Sequence, residues 1–296
     1  MKRRVKYSLL SLMLLSALGL GACARDVFRK EVSMRVGTPA QLIKREIHSS
    51  PFNLIAFERM HEHVAPVTLY IEGDGKAHTS RTRALFNATP VNPVSLHLAT
   101  RDNSQNVGYL ARPCQYTEEF EHPLPQIFCG GEYWTGKEYS PEVLKVYNDI
   151  MDDMRRRYGV TLFNLVGYDG GATLAALLAA ERKDVLTLRT VSGRFDMVPL
   201  KPQLSSLRFV PQHHFVGGAD TITPPAHLNT YIQALGNTAC VETTLIQEAE
   251  HEKGWVEKWP ELLESPLPTC TMPPPDDPAP RPKPVYAPRR IEDFKK

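Results

Sequence analysis

Beyond its first 22 residues, the chain has no apolar run long enough to cross a lipid bilayer, since a spanning helix needs about 20 consecutive apolar residues. It is also poor in cysteine. The five cysteines form no Cys-x-x-Cys pair, and no Cys/His pair has the spacing of a metal site. This pattern argues against a structural metal centre, and we expect neither a metal nor a cofactor. No internal repeat is present.

An excess of positive charge is absent from most of the chain. The formal net charge is +2, with 35 Lys and Arg against 33 Asp and Glu, but Lys2, Arg3, Arg4 and Lys6 all lie at the N-terminus. Without residues 1–22, the chain has 31 basic and 33 acidic residues, a net charge of −2. Nucleic acid is therefore not expected as a partner.

The N-terminus combines this basic start with an apolar stretch from Leu9 to Leu20 and a break at Leu20-Gly21-Ala22-Cys23. These features predict an export signal. The segment resembles a bacterial lipoprotein signal, which implies that residues 1–22 are removed and that Cys23 carries lipid. By the same resemblance, Ala24 favours the periplasmic side of the outer membrane, with the lipid as anchor. The alternative is an ordinary signal peptide cleaved after Ala22 or Ala24.

The four cysteines other than Cys23 are expected to form disulfides, because an even number in an oxidising compartment favours pairing. Three pairings of Cys114, Cys129, Cys240 and Cys270 are possible. We favour Cys114–Cys129 and Cys240–Cys270, since each closes a loop between neighbouring segments.

By composition, residues 23–296 fall into three parts. Residues 23–50 are charged and weakly patterned, which predicts a lipidated tether, and residues 51–270 are long enough for one large α/β domain. Residues 271–296 contain eight prolines, which predicts an extended, disordered tail. The basic end of this tail is interpreted as a solvated segment or, alternatively, as a contact for anionic envelope polymers.

Short β-rich runs alternate with helical patterns through the central part. The predicted strands are Asn53–Glu58, Val67–Glu72, Val107–Ala111, Thr161–Val166, Leu186–Ser192, His213–Gly217 and Val241–Gln247. The predicted helices are Asn92–Arg101, Pro141–Tyr158, Gly171–Glu181, Pro225–Leu235 and Trp255–Leu263. This alternation predicts an α/β fold with a mostly parallel sheet, helices on both faces and functional residues beyond the carboxyl ends of the strands.

Residues 162–180 read as a buried strand, a tight Gly-x-Asp-x-Gly corner and an Ala/Leu-rich helix. The corner has the pattern of a nucleophile elbow, with Asp169 where the commoner Gly-x-Ser-x-Gly motif has serine. The alternative is an ordinary strand-to-helix turn in which Asp169 caps the helix.

Two further candidates follow later strands. Asp220 comes after His213–Gly217, and His251 comes after Val241–Gln247. The chain order of nucleophile, acid and histidine is the order of α/β-hydrolase triads. Asp220 precedes a helix that begins with proline, so it could instead be a turn or cap residue.

The chain resembles the α/β-hydrolase superfamily, and more narrowly the lipid-anchored bacterial α/β-hydrolases, over residues 50–265. The resemblance rests on Glu72-Gly73-Asp74-Gly75, the segment 109–116, Gly167–Gly171, the segment 216–220 and Ala249-Glu250-His251. It implies that Gly73, Asp74 and Gly170 form the oxyanion hole. The alternative for residues 72–75 is a simple β-turn.

In α/β-hydrolases with an elbow aspartate, the resemblance implies that the carboxylate attacks an sp³ carbon of a haloalkane or epoxide, and that histidine then activates water against the ester. The residue after that aspartate is often tryptophan, whereas here it is Gly170. Two hypotheses follow. One is an envelope-anchored hydrolase of a small or lipidic substrate that uses Asp169, Asp220 and His251. The other is a catalytically silent relative that binds a ligand or an envelope partner.

Overall fold

The computed structural model describes residues 29, 31–75, 78–80, 83–84, 88–116, 131–236 and 240–270. The strands are β1 (Ile43–Ser49), β2 (Phe52–Met60), β3 (Val67–Ile71), β4 (His78–Ser80), β5 (Arg83–Ala84), β6 (Asn106–Leu110), β7 (Phe163–Tyr168), β8 (Val185–Val191), β9 (Gln212–Gly217) and β10 (Val241–Ile246). The helices are α1 (31–37), α2 (Val94–Thr100), α3 (Pro141–Tyr158), α4 (Gly171–Glu181), α5 (Met197–Leu200), α6 (Leu204–Leu207), α7 (Pro225–Leu235) and α8 (Trp259–Glu264). Short 3₁₀ turns lie at Thr38–Ala40, Gly131–Trp134 and Lys201–Gln203.

Eight strands form one sheet in the order β1-β2-β6-β3-β7-β8-β9-β10, while β4 and β5 pair separately. In this spatial order, every pair of neighbouring strands from β6 through β3 to β10 is parallel. Strands β1 and β2 form an antiparallel edge next to β6. The predicted mostly parallel α/β sheet is therefore confirmed. Because β3 and β7 are adjacent, the loops that follow them meet at the same edge of the sheet.

Helices cover both faces, as predicted. On one face, α3 and α4 pack with Leu69 and Ile71 of β3 in a single buried cluster. On the other face, Tyr70 of the same strand packs with residues of α2 and α8. Alternate side chains of β3 thus enter opposite cores, which is typical of a strand buried on both faces. The helix predicted over Pro141–Tyr158 has the predicted bounds, and it buries Val143, Val146, Tyr147, Ile150 and Met154.

The predicted tether is wrong in one respect, because part of it belongs to the sheet. Strand β1 lies within residues 23–50 and pairs along its whole length with β2. Most of its side chains are exposed, as expected of an edge strand with a polar sequence, so no apolar alternation marks it. At the other end of the domain, α8 begins at Trp259, four residues later than the predicted helix start at Trp255.

The predicted Cys240–Cys270 disulfide is confirmed. The predicted Cys114–Cys129 pair cannot be compared, because Cys129 lies outside the described residues, as do the signal segment, Cys23 and the tail after residue 270. Within the described part of the chain, no helix has the length and apolar character of a membrane span.

Candidate active site

The elbow lies where β7 meets α4, and Asp169 is the first residue beyond the strand. Its backbone has φ +47°, a left-handed conformation that costs a residue with a Cβ about 1 kcal/mol or more. The helix packs so closely that a Cβ on Gly171 would lie 2.4 Å from the carbonyl oxygen of Ile71. The N-cap residue of α4 is Gly170, so Asp169 does not take the alternative position of a helix N-cap.

The structure brings His251 together with both aspartates. Its Nδ1 lies 2.9 Å from Oδ2 of Asp220, and its Nε2 lies 3.8 Å from Oδ1 of Asp169. The first contact is a hydrogen bond, whereas the second is an ion-pair distance. Because a carboxylate only accepts hydrogen bonds, Nδ1 carries the proton, and Nε2 of a neutral ring presents its lone pair towards Asp169.

Asp220 is held by a second set of contacts. The N–H groups of Ile222 and Thr223 each donate to Oδ1 at 2.8 Å, and the Thr223 hydroxyl donates to Oδ2 at 2.7 Å. Burial alone would raise the pKa of Asp220, but hydrogen bonds from Thr223 and from His251 outweigh it and lower the pKa. Asp220 therefore makes the hydrogen bonds of a turn residue, the alternative interpretation, and also bonds to His251 as the predicted acid would.

The two oxygens of Asp169 have different surroundings. Oδ2 accepts the N–H of Asp74 at 3.2 Å, while Oδ1 lies 3.6 Å from Nε of Arg194 and faces His251. Burial raises the pKa of Asp169, whereas the charge of a protonated His251, the N–H of Gly170 and the charge of Arg112 act in the opposite direction. The N–H groups of Asp74 and Gly170, predicted for the oxyanion hole, thus already interact with the elbow carboxylate.

Gly73 has another role than the predicted one. Its N–H donates to Oε1 of Glu72 at 3.0 Å, so this donor is directed away from the reacting centre. A Cβ at position 73 would lie 2.9 Å from Cβ of Asp169, so glycine is needed here for the close approach of the loop. Of the described residues in the loop after β3, Asp74 supplies the donor to the site.

Glu72 is a buried carboxyl beneath this loop. It accepts hydrogen bonds from the N–H groups of Gly73 and Ser95 and from the Tyr109 hydroxyl. Burial raises its pKa from 4.5 to about 7, although these hydrogen bonds oppose the change. Glu72 therefore supports the loop and exchanges its proton near neutral pH.

A cavity of about 510 Å³ opens above the elbow. Its apolar and aromatic wall consists of Pro90, Val91, Trp134, Tyr168 and Ile222. Asp169 and His251 lie at its base with side-chain exposures of 14% and 10%, so both are accessible to a ligand. Such a cavity is large enough for a small organic molecule or one end of a lipid chain.

Two arginines for which the sequence predicts no role, Arg112 and Arg194, also belong to the site. Arg112 follows β6 and pairs with Asp74, while Arg194 follows β8, lines the cavity and also pairs with Asp74. In the sequence, the one sign of a site role for these arginines is that each lies just after a predicted parallel strand. Among the described residues, no cluster of His, Cys, Asp and Glu could hold a metal ion.

Several solved structures are similar to this chain. An α/β serine hydrolase homologue from Coxiella burnetii superposes with TM-score 0.53 at 14% identity, covering 75% of this chain and 95% of its own. A putative α/β hydrolase from Agrobacterium tumefaciens gives 0.54 at 11% identity, covering 75% and 93%. A membrane phospholipase A described as a bacterial virulence factor gives 0.52 at 14% identity, covering 87% and 94%.

The chain has the α/β-hydrolase fold. Neither a protein-family model nor a curated protein sequence matches it. At identities of 11–14% the similarity establishes the fold alone, so the reaction has to be argued from the site.

Glu72 generates a prediction about stability and pH. Because the folded state raises its pKa, the protein binds this proton more tightly than the unfolded chain does, and the associated stability is lost as pH rises from about 4.5 to about 7. The loss is on the order of 3 kcal/mol. Glu72→Gln keeps the acceptor oxygen but does not titrate. Its free energy of unfolding, relative to wild type, should therefore increase by about that amount between about pH 5 and about pH 8.

Denaturant unfolding at the two pH values measures this difference. Glu242→Gln, at an exposed position of β10, is the control and should show no such change. A pH-independent difference between Glu72→Gln and wild type would contradict the assignment of a buried titrating carboxyl.

Proposed function

We propose that this chain is a hydrolase in which the carboxylate of Asp169 attacks an sp³ carbon of a small or lipidic substrate, with His251 and Asp220 completing the reaction. The observation that carries the proposal is the separate placement of the two Asp169 oxygens. Oδ2 is held by the N–H of Asp74, and Oδ1 is turned towards His251 at the base of the cavity. A nucleophile needs one oxygen free to attack, and the second held where negative charge later develops.

The first step forms a bond between Oδ1 and the substrate carbon while the bond to the leaving group breaks. The leaving group departs with the bonding electrons, either as a halide ion or as the alkoxide oxygen of an opened epoxide, which then takes a proton from solvent. The product is an alkyl ester of Asp169.

The second step hydrolyses this ester. Nε2 of His251 takes a proton from water, whose oxygen attacks Cγ of Asp169, and the charge that develops on Oδ2 is stabilised by the N–H of Asp74. The bond between Cγ and Oδ1 then breaks, and the alcohol leaves with Oδ1 and receives the proton from His251. The solvent oxygen, still carrying its second hydrogen, remains on Cγ, and loss of that proton to solvent restores the carboxylate. Asp220 keeps the ring oriented and stabilises its charged form.

Carboxylic esters are poorer candidates as substrates. A carboxylate is a much weaker base than the alkoxide that an ester would have to expel, so attack at an ester carbonyl would reverse. In addition, Oδ2 of Asp169 already occupies the N–H of Asp74, the donor that an ester carbonyl would require.

A substrate panel tests the proposed chemistry. The protein should hydrolyse at least one haloalkane or epoxide, and Asp169→Asn should lower kcat by about a thousandfold or more because the amide is a poor nucleophile. Short-chain esters should not turn over. Product release is measured by halide or diol formation, with Glu242→Gln as the control that retains wild-type rates.

The same contacts also favour a second candidate, a catalytically silent ligand-binding protein. If the carboxylate of Asp169 only fills the oxyanion hole and pairs with nearby cations, the cavity could hold a ligand without reaction. The silent alternative predicts no turnover by wild type and the appearance of esterase activity in Asp169→Ser. That result would overturn the alkyl-ester proposal.

We also propose that the protein is attached to the outer membrane of the bacterial envelope through lipid on Cys23. Support comes from the signal-like sequence at residues 1–22 and from the cysteine directly after Leu-Gly-Ala. A single lipidated residue would keep the hydrolase domain at the bilayer surface, where lipidic substrates are available.

Replacement of this cysteine tests the anchor. In a bacterial host, wild type should incorporate labelled palmitate and fractionate with the outer membrane, whereas Cys23→Ala should incorporate none. Cys240→Ala removes a disulfide cysteine instead and should leave labelling intact. Labelling that persists in Cys23→Ala would contradict the proposal.

A further inference from the structure

The carboxylate of Asp74 lies behind the elbow, buried between two arginines. Its Oδ1 lies 2.7 Å from Nη1 of Arg112, and the two side chains are only 6% and 5% exposed. Arg194 pairs with the other oxygen, Oδ2, from the cavity side. A buried carboxylate is tolerated only when its charge is compensated, and the hydrogen-bonded pair with Arg112 fixes the direction of the Asp74 side chain.

Arg112 is itself held in place. Nη2 donates to the carbonyl oxygen of Glu138 at 2.9 Å, and the guanidinium lies 5.4 Å from the centre of the Tyr139 ring. Its backbone N–H donates to Oε1 of Gln115 at 3.0 Å, and Nε2 of Gln115 donates in turn to the carbonyl oxygen of Gly73 at 3.0 Å. The loop after β3 is therefore bonded to the segment after β6 at two points, the backbone carbonyl of Gly73 and the side chain of Asp74.

Gly170 leaves the space that this arrangement requires. A Cβ at position 170 would lie 2.4 Å from both carboxylate oxygens of Asp74. The backbone of Gly170 is helical, with φ −62° and ψ −22°, so any residue could adopt it. Glycine is thus needed here for space rather than for conformation. The carboxylate of Asp74 occupies the place that a side chain at position 170 would take.

We propose that Asp74 is the positioning residue of this site. Its ion pairs with Arg112 and Arg194, together with the space left by Gly170, hold its N–H on Oδ2 of Asp169, which directs Oδ1 into the cavity. The importance of this orientation for catalysis rests on the proposed function, but the orientation itself can be measured without a substrate.

Amide NMR provides the test. In wild type, the Asp74 amide proton should shift with pH as Asp169 titrates, because that N–H donates to the titrating carboxylate, and Asp169→Asn should abolish the shift. Gly170→Ala removes no charge but places a methyl group against the carboxylate of Asp74, so it should reduce the shift at least twofold. Asp74→Asn, which loses both ion pairs, should have the same effect on the amide of residue 74.

Gly136→Ala is the matched control, since a Cβ there meets no atom within 4 Å, and it should titrate as wild type does. Arg112→Lys keeps the charge without the planar fork and should restore part of the shift relative to Arg112→Ala. Thermal unfolding of each variant checks that it folds. A full shift in both Gly170→Ala and Asp74→Asn would overturn the proposal, as would a shift that persists in Asp169→Asn.

Kinetics separate this inference from the proposed function. With a substrate that turns over, Gly170→Ala should lower kcat at least tenfold and change KM little. If no substrate turns over, the proposed function fails while the amide titration still decides the role of Asp74. If turnover depends on Asp169 but Gly170→Ala changes neither kcat nor the titration, the positioning role fails and the function stands.

Discussion

The site depends on one hydrogen bond, from the N–H of Asp74 to Oδ2 of Asp169. It joins the loops that follow the neighbouring parallel strands β3 and β7, so the order of strands in the sheet makes the contact possible. The bond also requires the left-handed backbone at Asp169 and the close approach of Gly73. Such backbone strain and close packing occur where a strand turns at once into a helix. This turn presents the Asp169 carboxylate at the base of the cavity.

This bond also determines which chemistry suits the elbow. A serine there would leave the N–H of Asp74 available to a substrate oxygen, and His251 would act first as its base. With aspartate, the proposed nucleophile is a carboxylate that needs no base, and the same N–H would stabilise the charge that develops on Oδ2 when the aspartyl ester is hydrolysed. In that reaction, His251 would be needed only to take a proton from the attacking water. The triad arrangement is therefore compatible with a reaction different from ester hydrolysis.

Some of this arrangement could be predicted from the sequence. The alternation of strands and helices predicts the sheet, and because parallel strands end at the same edge, it also predicts that Asp169, Asp220 and His251 lie near one another. Strand β1 could not be predicted, since an exposed edge strand has no apolar alternation. The pairing of Arg112 and Arg194 with Asp74, and the direction of the Gly73 N–H, depend on loop conformation, which composition and spacing do not encode.

Attack of the Asp169 carboxylate on carbon can be measured in a single-turnover reaction in water labelled with oxygen-18. The enzyme is in excess over a haloalkane or epoxide, and the peptide that contains Asp169 is then analysed by mass spectrometry. We expect one labelled oxygen in the Asp169 carboxylate and an unlabelled oxygen in the new hydroxyl of the product. Label in that hydroxyl and none in Asp169 would show that water attacks the substrate directly, which would contradict attack by the Asp169 carboxylate.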